Sequence, residues 1–176
     1  SATPGPIPGE LTPEEGKNLI ERVAEMGTPL LVFSGGDPAP RPDLFDLIRH
    51  GKSKGLRVAT IPAATSRLTK DLVVQLKEAG LDQVAFSLDF PEARLHDDFR
   101  GSLGAFDRTI RAIEWAHECN LPPQINTCVW GESARHLLEM TRLVTRLGIV
   151  FSEVFFLFPT GRRTLLAGIS ARQSEE

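Results

Sequence analysis

Cysteine is scarce in this chain: 176 residues hold only Cys119 and Cys128. They fall on different expected elements, which excludes a disulfide framework and fits a reducing compartment. No apolar stretch approaches the roughly 18 residues that a membrane span needs, and no secretory signal is visible at the start. A net charge of −3 argues against extended nucleic-acid binding, while leaving local arginines able to hold a single phosphate. P-loop, GxGxxG fingerprint, zinc-finger spacing and serine-hydrolase elbow are all missing. What remains is the composition of an ordinary globular protein, 41% hydrophobic and 24% charged, long enough for one domain with a real core. The expected location is the cytoplasm, and Ser1 in place of a methionine reads as a processed start.

Proline and glycine crowd residues 1–11, which read as a flexible arm. Thr12-Pro13-Glu14-Glu15 then opens a helix: Thr12 can cap it, Pro13 suits its first position and Glu15 completes a capping box. From there one unit recurs, a helix, a residue able to take a left-handed conformation, and a short β-branched run. The turn residues are Gly27, Gly55, Gly80, Asn120 and Gly148. The runs predict strands over 30–33, 57–61, 84–88, 124–129 and 153–158, and the helices fall over 12–26, 42–54, 69–79, 105–119 and 133–147. Five strands alternating with five helices imply a parallel sheet, a partial TIM-like α/β barrel over residues 12–163 with a tail at 164–176. In such architectures the site lies beyond the carboxyl ends of the strands. The segments to read for chemistry are therefore 34–41, 62–67, 89–101, 128–132 and 159–163.

Taken in order, these segments resemble the radical S-adenosylmethionine enzymes, in the branch that modifies peptides and haem precursors. Ser34-Gly35-Gly36-Asp37-Pro38 resembles that family's Gly-Gly-Glu-Pro segment, with Asp for Glu, and Arg41-Pro42-Asp43-Leu44 continues it. Ser87-Leu88-Asp89 and His96-Asp97-Asp98-Phe99-Arg100-Gly101 match its fourth strand and the following loop. Gln124-Ile125-Asn126-Thr127 resembles the fifth strand, and Phe155-Phe156-Leu157-Phe158-Pro159-Thr160-Gly161-Arg162 the sixth. The resemblance also implies a first strand and a C-x-x-x-C-x-x-C loop before Leu11, whose three thiolates hold an iron–sulfur cluster. Neither is in this sequence, and Ala63-Ala64 stands where the family often has Asn-Gly. The expectation is a truncated barrel with no iron–sulfur cluster, unlikely to use S-adenosylmethionine. Its uncovered edge strand, Leu30–Phe33, is expected to be sealed by a second copy in a homodimer.

With that chemistry set aside, the expected mouth gathers Asp37, Asp89, His96, Asp97, Asp98 and Glu132. Mixed carboxylate and imidazole donors suit zinc or manganese, with Asp37, Asp89 and His96 as candidate ligands and Asp89, His96 and Asp97 as candidate catalytic groups. Ser34, Gly35, Gly36, Arg100, Asn126, Trp130 and Arg162 are the candidate substrate contacts, with Arg41 and Arg163 also able to meet a phosphate. Metal-activated water acting on a phosphate ester, as in a phosphodiesterase, is the expected activity. Two alternatives stand beside it: a non-catalytic or incomplete fragment of a radical S-adenosylmethionine enzyme that binds S-adenosylmethionine or a peptide, and a protein-interaction module. Each residue also has a plainer reading: Asp37 and Asp89 as turn formers, Asp97 or Asp98 as a cap, Cys128 as core.

Overall fold

The computed structural model describes residues 9–131 and 133–157. Helix α1 (Pro13–Glu25) begins with the expected capping box: the Thr12 hydroxyl accepts from the Glu15 amide, and the Glu15 carboxylate accepts from the Thr12 amide. There follow β1 (Leu30–Phe33), α2 (Leu44–Ser53), β2 (Arg57–Thr60), α3 (Lys70–Glu78), β3 (Gln83–Ser87), α4 (Ala93–Arg100), α5 (Ala105–Glu118), β4 (Pro123–Val129), a 3-10 turn (Ala134–His136), α6 (Leu137–Arg146) and β5 (Phe151–Phe156). The five strands pair in sequence order, every pair parallel, and curl into a half-barrel.

The five expected turn residues all take positive φ, and Asn120, at 53°, is the only one of them that is not glycine. Asparagine tolerates that region because its short amide can bond locally. Strand alternation sends Val58, Val84, Phe86 and Ile125 to the convex face, where Ile48, Val73, Leu76 and Ile113 from the helices complete a buried core. Asp82 ties α2 to the sheet, its carboxylate accepting from Lys52 Nζ and from the Val58 amide, each at 2.7 Å. Burial raises the Asp82 pKa, but these hydrogen bonds outweigh it and hold the carboxyl below its usual range.

Three differences from the sequence reading matter. Residues 93–100 form a helix, α4, where a loop was expected. Strand β5 begins at Phe151 rather than Glu153. The arm is anchored in part, because Arg41 donates to the Glu10 carboxylate at 2.9 Å and to the Leu11 carbonyl at 3.0 Å. No described helix is long and apolar enough to cross a membrane.

Candidate functional site

The carboxyl ends of the strands form one mouth with two unlike sides. On the β1 side, Ser34, Gly35 and Gly36 are exposed. Gly35 has φ 116° and nothing within 4 Å of where a Cβ would stand, so the backbone conformation demands glycine and the space beside it stays open to a bound group. Asp37 directs Oδ1 to the amides of Ala39 and Ala63, both at 3.2 Å. It thereby pins the loop after β1 to the loop after β2.

On the β3 side the polar groups satisfy one another. Asp89, 2% exposed, accepts from the Cys128 amide on Oδ1 at 2.9 Å and from Arg100 Nε on Oδ2 at 2.6 Å. His96 is wholly buried, and its Nδ1 accepts from the Asp89 amide at 3.2 Å. Nδ1 therefore has no proton to give the Asp89 carboxylate 3.6 Å away, and the hydrogen sits on Nε2. Burial pushes the His96 pKa below 6.5, although the charge of Asp89 opposes the shift. Asp97 caps α5 through the amides of Gly104 and Phe106. Burial raises its pKa, and those two amides more than offset the rise, leaving it lowered. Asp98 is exposed and lies 3.9 Å from Arg94.

Trp130 is buried and stacks on Phe99 at 4.4 Å, with Phe90 edge-on at 5.3 Å. This aromatic cluster fastens α4 to the loop after β4. Asn126 faces the lumen, as alternation with buried Ile125 and Thr127 required. Arg100 keeps 34% of its side chain exposed while Asp89 holds its Nε. Glu132, Arg162 and Arg163 lie outside the described residues. Gln83 and Gln124 were missed as site residues; Gln124 stands in the segment that resembles the family's fifth strand, and both share the strand face of Asn126.

The expected zinc or manganese set does not assemble. Both Asp89 oxygens and His96 Nδ1 are engaged, and Asp37 serves backbone amides. The one group of three metal-competent donors among the described residues, Glu92, His136 and Glu139, includes none of the expected ligands; His136 lies edge-on to Phe90 at 5.4 Å, with Arg135 Nε 3.2 Å from its Nε2.

A family model, the radical SAM superfamily, matches residues 2–144. The chain belongs to that superfamily, and its relatives place it in the branch that handles haem precursors and peptides. It is 45% identical over 157 residues to an AdoMet-dependent heme synthase of Methanosarcina barkeri, a match covering 88% of this chain and 44% of that protein. A PqqA peptide cyclase of Bradyrhizobium diazoefficiens is 31% identical over 134 residues, covering 76% of this chain and 35% of that one. Among solved structures, Streptococcus suis SuiB bound to S-adenosylmethionine superposes with a TM-score of 0.70 at 17% identity, covering 82% of this chain and 33% of SuiB.

These findings overturn the phosphodiesterase reading, its phosphate-ester substrate and its catalytic metal. They also overturn the expectation of no iron–sulfur cluster and no S-adenosylmethionine, since the chain belongs to the radical SAM superfamily and its Methanosarcina barkeri relative is named an AdoMet-dependent heme synthase. The chain spans less than half the length of the relatives it matches, so the missing cysteine loop describes this stretch of sequence only. Cys119, at the end of α5, and Cys128, in β4, are two thiols on separate elements and do not fit a cluster that needs three thiolates.

Proposed function

We propose that this chain forms a large part of the barrel of a radical S-adenosylmethionine enzyme whose substrate is a tetrapyrrole haem precursor. The observation that carries the reading is the 45% identity to a heme synthase over 157 residues, higher than the 31% to the peptide cyclase. The cluster thiolates would come from sequence outside these 176 residues, and when bound the cluster would supply the electron that cleaves S-adenosylmethionine.

What these residues would do is bind and orient. The Gly35-Gly36 backbone allows close approach of a ligand. Arg100, its Nε fixed by buried Asp89, offers the rest of its guanidinium to a carboxylate, a group that S-adenosylmethionine and tetrapyrrole precursors both carry. His96 and Cys128 hold Asp89 by backbone bonds, so the Arg100 fork is set before any ligand arrives.

Absorption titration of the chain with coproporphyrin III, with and without S-adenosylmethionine, tests the substrate class. The expected result is a saturable shift of the porphyrin band that Arg100→Ala weakens. An unshifted band at every protein concentration, beside normal binding of a linear peptide, would transfer the proposal to peptide substrates.

A further inference from the structure

The concave face of the sheet is divided by chemistry. Leu30, Val32, Ala59 and Ile61 line its β1–β2 side, whereas on the β3–β5 side Gln83, Gln124 and Glu153 stand around a single small apolar residue, Ala85. On that polar side Gln83 Nε2 donates to Gln124 Oε1 at 2.8 Å, and Gln124 Nε2 donates to Asn126 Oδ1 at 2.6 Å.

A row of primary amides is consistent in only two directions, because a member that accepts on its oxygen passes a hydrogen on from its nitrogen. In the direction found here the row ends at Asn126, with its oxygen occupied and its Nδ2 hydrogens left for the lumen. The β4–β5 register sets Glu153 directly across from Asn126. An anion there favours amide hydrogens over an amide oxygen at that end of the row, so the carboxylate selects the direction. The reversed row would set Asn126 Oδ1 opposite a negative charge.

We infer that Gln83 and Gln124 are positioning residues, holding Asn126 as a hydrogen-bond donor to an oxygen of the molecule bound in the half-barrel. The recognition role rests on the ligand-binding function proposed above; the direction of the row does not. A carbonyl, hydroxyl or carboxylate oxygen satisfies the donor, while a ligand offering only N–H groups at that point leaves it unpaired.

Gln124→Glu supplies the sharpest test because it keeps the shape and removes the hydrogens. Gln83 can still donate to the new carboxylate, but Asn126 must rotate to donate as well, and then shows its oxygen to the lumen. Water exchange of side-chain amides, followed by NMR on the unliganded chain, reads this directly. In the wild type the bonded hydrogens of Gln83 and Gln124 are expected to exchange about tenfold more slowly than those of Asn126; in Gln124→Glu, Gln83 keeps its slow hydrogen and Asn126 gains one. Slow Asn126 hydrogens in the wild type would overturn the row direction.

S-adenosylmethionine and coproporphyrin III, titrated separately, then identify the source of the oxygen. The recognised probe shifts the Asn126 Nδ2 resonances and binds about tenfold more weakly to Gln124→Glu. Gln124→Met, which unties the row without reversing it, gives a smaller loss. A probe that binds, leaves Asn126 unmoved and ignores Gln124→Glu counts against that molecule, and the same result with both probes overturns the recognition role. Failure of both to bind the folded chain overturns the enzyme reading and the recognition role together, and the exchange rates judge the row by themselves.

Discussion

The two sides of the mouth carry similar residues in the sequence and behave differently in the fold. After β1, small residues stay exposed around an open Gly35 and the one carboxylate turns to backbone amides. After β3, Asp89, His96 and Asp97 close on one another and on α5. The first side has room to receive a ligand, while the second is a built support whose exposed product is the Arg100 guanidinium. Acidic residues collected at strand ends do not make a metal site when backbone amides already occupy their oxygens.

The comparison breaks most visibly at Asp89. Asp89→Ala takes a buried carboxylate away from the Cys128 amide and from Arg100, and should cost about 3 kcal/mol of unfolding free energy in a urea titration. A loss within error would mean that the β3 side is not a support. Asp97→Ala removes the carboxylate that caps α5, with an expected loss of about 1 kcal/mol by the same method.

On the open side, Gly35→Ala should cost about 1 kcal/mol, through backbone conformation alone. Ser34→Ala should leave stability within about 0.5 kcal/mol; a large loss there would make both sides supports.

His96 adds a pH dependence. Its folded pKa lies below 6.5, so on acidification the unfolded chain takes up its proton first. Stability is therefore full above about pH 6.5 and declines as pH falls below it. His96→Gln should flatten the decline in a series of urea titrations between neutral and mildly acidic pH. An unchanged slope would assign the dependence to other groups.

Much of the fold was legible because its signals are local. The Thr12–Glu15 box, the left-handed residues and the apolar runs each act over a few neighbours, and all five strands followed from them. Helix α4 was missed because its one buried residue is a histidine and its N-cap, Glu92, makes no side-chain cap bond. The site was legible as a set of residues in order along the mouth. Their partners were not, since Asp89 binds an amide 39 positions away and Asp37 one that is 26 away. No spacing rule connects such pairs, so carboxylates engaged by the backbone looked like free ligands.

The most direct test of the central claim is isothermal titration of the chain with S-adenosylmethionine. The account predicts saturable one-to-one binding that Arg100→Ala weakens about tenfold. Absence of binding by a chain shown to be folded, or binding indifferent to Arg100, would contradict it.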